Sequence, residues 1–288
     1  MKQVAELISL LELEPIENNL FRGQSRSVGS KRVFGGQVLA QALSAATQTV
    51  PEDRFVHSLH GYFILPGDME RPIIFEVDRI RDGGSFTTRR VKGIQNGQAI
   101  FNMSASFQLV QDGFEHQIRM PDVSPPEDLP SWEGMAKEYG DLLPPNLKRI
   151  LDVERPIEFR PVEFYNPLTA DKYDPYRHIW MKARGDMPDD KKWHALVLAY
   201  TSDYNLLTTA LLPHGMVSDF SKLQMASLDH AMWFHRDFRV DDWLLYAVDS
   251  PSASGARGFT RGNIFTEDGR LVASVVQEGL MRPKKKKS

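Results

Sequence analysis

The sequence predicts an α+β chain made of two tandem copies of one unit, an antiparallel sheet wrapped around a single long buried helix. Three observations carry this expectation. Ser58-Leu59-His60-Gly61-Tyr62-Phe63 is echoed by Ser227-Leu228-Asp229-His230-Ala231-Met232-Trp233-Phe234, and Ile73-Ile74-Phe75-Glu76-Val77-Asp78 by Leu244-Leu245-Tyr246-Ala247-Val248-Asp249, at an offset of about 170 residues. A stretch that is small and apolar nearly all round precedes each strand set, Phe34 to Ala46 in the first half and about Lys192 to Tyr200 in the second. Such a helix must be buried on most sides. Each half also carries a hairpin signal, Asn96-Gly97 and Asp268-Gly269, pairs that tolerate positive φ.

In chain order, residues 1–15 read as an amphipathic helix with Val4, Leu7, Ile8 and Leu11 on one face. The acids Glu6 and Glu12 set it apart from a signal peptide. The first buried helix leads through apolar strands into the polar, Arg-bearing strand Ser85 to Lys92, the Asn-Gly turn and a final strand, Ala99 to Leu109. Pro121, Pro125, Pro126, Pro130, Pro144 and Pro145 then cluster among charges, which reads as a surface linker with a short helix over Ser131 to Leu142. The second half repeats the scheme with Arg257 to Ile264, the Asp-Gly turn and Leu271 to Met281. The expected organisation is an N-terminal unit over 1–111, a Pro-rich linker over 112–150, a C-terminal unit over 151–282 and a basic, solvated tail over 283–288. A sheet wrapped around one helix is the hotdog arrangement, so the expected fold is a double hotdog.

Composition excludes several functions. The net charge of −3 gives no global field for nucleic acid, and no run approaches the roughly 18 apolar residues of a membrane span. There is no cysteine, hence no disulfide, thiolate metal site or cysteine nucleophile, which fits a reducing cytoplasm. His57, His60, His214, His230 and His235 show no HExxH spacing and read as structural, so neither metal nor cofactor is expected. Nucleophile-elbow, dinucleotide and Walker motifs are missing too.

The chain resembles the bacterial acyl-CoA thioesterase II family. The resemblance rests on Phe21-Arg22-Gly23-Gln24, Val33-Phe34-Gly35-Gly36-Gln37, His57-Ser58-Leu59-His60 and Arg160-Pro161-Val162-Glu163-Phe164 in the first part of the chain. Later it rests on Ser202-Asp203, Leu228-Asp229-His230-Ala231-Met232-Trp233-Phe234-His235, Ala256-Arg257-Gly258 and Val276-Gln277-Glu278-Gly279. It implies hydrolysis of medium- to long-chain acyl-CoA to free acid and coenzyme A, and a homo-oligomer, dimer or tetramer. It also implies an Asp, a Thr or Ser, and a Gln around a hydrolytic water, which fall on Asp203, Ser227 and Gln277. The family pattern has threonine where this chain has Ser227, so the hydroxyl is kept and the methyl that restricts its rotation is lost.

Thioester hydrolysis needs an activated water. A carboxylate can serve as general base, while a hydroxyl and an amide fix the water's remaining geometry. Aligning Val38-Leu39-Ala40 with Val197-Leu198-Ala199 puts Ser44 opposite Asp203, and Phe34 to Val50 contains no acid. One catalytic constellation per chain is therefore expected, in the second half. Gly35-Gly36 ahead of a helix suits an oxyanion or phosphate, or close packing of that helix on the sheet. Arg89, Arg90, Arg257 and Arg261 read either as a solvated strand face or as contacts to the phosphates of coenzyme A. Two other readings stand beside hydrolysis. A hotdog enoyl-CoA hydratase would need a histidine where Asp203-Tyr204-Asn205-Leu206-Leu207-Thr208 has threonine, and a non-catalytic acyl-CoA-binding protein would keep the fold without turnover.

Overall fold

The structure is a computed structural model that describes every residue except 30–31, 144–146, 149–150, 167–168, 217–222 and 285–288. The basic tail from Lys285 onward and parts of the linker thus lie outside the described residues.

The apolar face of the opening segment forms α1 (Val4–Leu11), with Val4, Leu7 and Leu11 fully buried. The two expected buried helices are α2 (Gly35–Thr47) and α4 (Lys191–Thr201). Every α2 residue from Gly36 to Ala46 is buried, including Gln37, Gln41 and Ser44. Most of their polar groups are satisfied locally, Gln41 Oε1 alone having no hydrogen-bond partner among the described residues. Gln41 Nε2 donates to the carbonyls of Leu10 and Gln24, and the Ser44 hydroxyl donates to that of Leu11. This is the condition under which amides and hydroxyls can be buried at all. In the linker, Ser131 caps α3 (Trp132–Tyr139) by accepting from the Gly134 amide, which fits the short helix expected there. A single turn, α5 (Leu206–Thr209), follows α4.

Among the described residues, one sheet of thirteen strands runs through the chain. The first half supplies β1 (Glu14–Glu17), β2 (Leu20–Gly23), β3 (Phe55–Phe63), β4 (Ile73–Asp82), β5 (Phe86–Gln95) and β6 (Gln98–Gln108). The second supplies β7 (Ile157–Pro161), β8 (Tyr176–Ala183), β9 (Leu223–Ser227), β10 (Asp229–Phe234), β11 (Leu244–Ser254), β12 (Arg257–Thr266) and β13 (Leu271–Pro283). Their order is β1-β2-β4-β5-β6-β3-β10-β13-β12-β11-β8-β7, with β9 on β13, and the halves join where β3 pairs antiparallel with β10. Asn96 and Gly97 both take positive φ at the first hairpin, whereas in the second only Gly269 of the Asp-Gly pair does. The sheet wraps α2 and α4, which pack against each other, and the main apolar core draws on both halves, with Leu39, Leu43, Phe75 and Phe101 joining Val197, Leu198, Tyr246 and Val275. This is a double hotdog.

The ladders show which residues correspond. Rung Gly61↔Met103 matches Met232↔Val275, Arg89↔Ala105 matches Thr260↔Gln277, and Val56↔Phe107 matches Ser227↔Gly279. Counted from these rungs, Leu59 stands where His230 stands. The sequence echo that lines up Ser58 with Ser227 is thus two residues off the structural match, because the apolar words around the two serines are alike while the strand registers differ.

Candidate active site

Asp203 sits in the turn after α4. Ser202 donates from its amide to Leu198 and from its hydroxyl to Ala199, and the Tyr204 amide donates to Thr201; Asn205 then takes φ 66° and redirects the chain. The turn leaves Asp203 half-buried between the two halves. Its Oδ2 accepts from the Gly36 amide at 2.9 Å and its Oδ1 from Gln277 Nε2 at 2.8 Å. The Gly36 amide lies in the first turn of α2, where the helix dipole favours a negative charge.

Close approach explains the two glycines. A Cβ on Gly35 would lie 2.8 Å from Asp203 Oδ2 and 3.1 Å from the Phe63 ring. One on Gly36 would lie 2.3 Å from the Tyr200 carbonyl, so this glycine packs α2 on α4 rather than on the sheet. The Gly36 amide is aimed at Asp203, which takes the place of the oxyanion or phosphate expected there.

Gln277 is 1 % exposed on β13. Its Nε2 also approaches His230 Nδ1 at 3.2 Å, and His230 Nε2 lies 3.0 Å from the Ser202 hydroxyl. Since that hydroxyl already donates to Ala199, His230 Nε2 carries the ring proton and Nδ1 accepts from Gln277. Burial pushes the imidazole down to about 4, against the opposing pull of the Asp203 charge, so the ring is neutral at pH 7. Flipping the amide would turn its oxygen against two acceptors. The amide orientation is therefore fixed, and Gln277 Oε1 is left buried without a hydrogen-bond partner among the described residues. Around this group burial holds Tyr200 and Tyr246 well above the usual phenol range, and the Tyr246 hydroxyl donates to the Ser202 carbonyl.

Ser227 ends β9 opposite Gly279, two residues along β13 from Gln277, and is half-buried. Among the described residues its hydroxyl makes no hydrogen bond to Asp203 or Gln277. The structure therefore joins Asp203 to Gln277 directly and leaves Ser227 on the neighbouring rung.

The arginines divide. Arg89 is a correction: it is fully buried and donates to Thr49, Asp82 and the carbonyls of Arg81 and Thr88, out of reach of a phosphate. Burial of a cation this large was invisible in the sequence because it depends on acceptors gathered from three segments. Arg90, Arg257 and Arg261 are exposed and pair with Asp78, Glu278 and Asp249 on neighbouring strands, as a solvated face would. His230 was read as structural with the other histidines. Its place beside Gln277 could have been found only from the strand register. A cavity of about 400 Å³ begins at Tyr204, Asn205 and Thr208, just past the acid, and continues over Trp132, Phe164 and Ile179.

Known proteins resemble this chain along nearly its whole length. Residues 147–280 match the family model described as acyl-CoA thioesterase, and residues 23–108 the model of the acyl-CoA thioesterase N-terminal domain. The chain is 44% identical over 276 residues to acyl-CoA thioesterase 2 of Haemophilus influenzae, covering 96% of each. It is 44% identical over 287 residues to human acyl-coenzyme A thioesterase 8, covering 96% of this chain and 88% of that one. An acyl-CoA thioesterase II crystal structure from Mycobacterium marinum superposes with a TM-score of 0.79 at 42% identity, over 96% of this chain and 98% of that one. A carboxylate and an amide locked together between two hotdog halves, in a chain this close to such relatives, lead to one conclusion: the protein belongs to the acyl-CoA thioesterase II family of thioester hydrolases.

Proposed function

We propose that the chain hydrolyses medium- to long-chain fatty acyl-CoA by direct attack of a water held between Asp203 and Gln277, with Ser227 as a third ligand of that water. The observation that carries this reading is the buried, unpartnered Gln277 Oε1 beside the Asp203 carboxylate. A water there donates one proton to Oε1 and the other to Asp203, each of whose oxygens keeps a lone pair beyond its present bond. The water oxygen bonds to the carbonyl carbon as its proton passes to Asp203. The tetrahedral intermediate then expels the thiolate, which leaves with that proton as the thiol of coenzyme A.

His230 acts as a positioning residue, since its Nδ1 takes one Gln277 proton and so directs Oε1 toward the water. The 400 Å³ cavity past Tyr204 offers apolar room for the acyl chain. At the position where a hydratase would need its histidine, the Thr208 hydroxyl is bonded to Asn205 and Arg177, which favours hydrolysis over hydration. We place the reaction in the cytoplasm and in a homo-oligomer. The cysteine-free sequence supports the first, and the exposed apolar group Tyr62, Ile64 and Leu65 the second.

The test is release of free thiol from palmitoyl-CoA, followed with a thiol-reactive dye. Release is expected from the wild type and not from Asp203→Asn. Capture of an acyl group on Ser227 during turnover, or full turnover by Asp203→Asn, would overturn direct attack by water.

A further inference from the structure

The pseudo-symmetry of the double hotdog gives the active site a counterpart. Because β3 and β10 run antiparallel through the middle of the sheet, the end of β3 and the start of β10 meet near Asp203, and their other ends meet at the opposite rim. There a cavity of about 250 Å³ lies between the end of α2, the start of α4, the end of β6 and the turn after β10. These are the elements of the active site with the halves exchanged, but the chemistry is different. Leu59 and Ala105 replace His230 and Gln277, and no acid takes the place of Asp203 in Phe34 to Val50.

In place of a base the cavity has cations. Arg54, Lys191, Lys192 and Arg236 line it beside Phe55 and Phe234, with Asp237 the one carboxylate among the described lining residues. Lys191 pairs with Asp237 and Lys192 with Asp190, while Arg236 is tied to the carbonyls of His116 and Leu271. Arg54 is held more loosely. Its side chain is only 12% exposed and its Nε makes a long ion pair with Asp53 at 3.5 Å, yet buried Nε and Nη1 have no hydrogen-bond partner among the described residues. Buried polar groups nearly always find partners. A planar fork of N–H groups beside further cations and aromatic rings matches a phosphate carried on a nucleotide.

We propose that this second cavity is a non-catalytic site for a phosphate-bearing nucleotide of the coenzyme A type. Arg54 and Lys191 would hold a phosphate there, and Phe55 and Phe234 would cover the apolar part of the ligand. The choice of coenzyme A within that class rests on the thioesterase reading; the anion site does not. Without counterparts of Asp203 and Gln277 the cavity binds and does not turn over, so free coenzyme A released at one rim can be held at the other.

Calorimetric titration of the full chain with coenzyme A tests this. Two sites per chain are expected in the wild type. Arg54→Glu/Lys191→Glu should weaken one of them at least ten-fold while kcat on palmitoyl-CoA stays unchanged, which also shows that the variant has folded. Arg54→Ala, a milder change, should weaken the same site with the other intact. At equal concentration 3′,5′-ADP should displace coenzyme A from it and inorganic phosphate should not. A single site in the wild type, two sites surviving the double charge reversal, or phosphate competing as well as the nucleotide would each overturn the proposal. Failure of the thioesterase reading would show separately, as absent thiol release with the binding stoichiometry intact.

Discussion

The two halves share a ladder and differ in what hangs on it. Where the second half has the rung Thr260↔Gln277, the first has Arg89↔Ala105. Counted from the helix ends, Asp203 lies two residues past Thr201, and Thr49 lies two past Thr47. Gln277 reaches Asp203 across the second half, and Arg89 reaches Thr49 across the first. A buried arginine thus stands across the ladder from Ala105, which holds the place that the amide of Gln277 has in the other copy. The first half contributes instead the Gly36 amide that holds Asp203. The difference teaches that the two copies divide the proposed chemistry, one carrying the proposed base and the other the positive helix end that holds it.

The largest effect expected from this contrast is at Asp203. Asp203→Asn keeps the shape and removes the base, so kcat should fall by about 10²–10⁴-fold with KM little changed. Gln277→Ala removes both a donor to Asp203 and the open acceptor, and a fall in kcat of about 10²-fold is expected by analogy with loss of one preorganised hydrogen-bonding group. Thr49→Ala, equally far past the end of its own buried helix, should leave kcat within two-fold of the wild type by the thiol-release assay. If Thr49→Ala and Asp203→Asn lose equal activity, the asymmetry of the halves is wrong.

Much of this was legible beforehand. The repeat, the buried helices and both hairpins follow from apolar period and turn chemistry, which are local properties of the chain. Asp203 was picked out by the family pattern, with the repeat in support, since the first buried helix carries no acid at the matching place. The burial of Arg89 and the contact of His230 with Gln277 are not legible in the sequence because both depend on pairing across the sheet. One sits opposite Ala105, and the other on a rung with Gln277, and neither neighbour lies near in sequence. Ser227 was placed from the family pattern alone, and local sequence has no means of fixing a hydroxyl's distance from an acid on another element.

His230 offers the next largest effect and sharpens the comparison, since Leu59 holds its place in the first half. Its folded value of about 4 lies below the ordinary 6.5, so the unfolded chain binds the extra proton first as pH falls. Stability contributed by the neutral ring is whole above pH 6.5 and is lost as pH drops toward 4, on the order of 3 kcal/mol in all. Burial lowers His57, His194 and His235 in the same direction, so the informative quantity is a difference. Denaturant melts between pH 4 and 8 should slope less steeply for His230→Asn than for the wild type. Parallel slopes would show that the ring is not held neutral by the fold. At pH 7.5 the variant should lose kcat more than KM, because the lost partner is the one that orients the Gln277 amide.

A smaller effect is expected from giving the first half the second half's amide. Ala105 is 2% exposed and faces the buried Arg89 rung, so Ala105→Gln overfills the site and should cost about 1–3 kcal/mol by denaturant melt without adding activity.

The smallest effect separates two neighbours. Arg89 and Arg90 are adjacent on β5, and the pleat sends them to opposite faces, one fully buried and one 62% exposed at the side chain. Arg90 pairs with Asp78, itself 51% exposed, and exposed pairs of this kind contribute about 0–1 kcal/mol. Arg90→Ala should therefore lower stability by less than about 1 kcal/mol and leave KM for palmitoyl-CoA unchanged. A several-fold rise in KM would mean that the outer face of β5 meets the coenzyme A phosphates after all, and the division between a solvated sheet face and a cationic rim cavity would have to be redrawn.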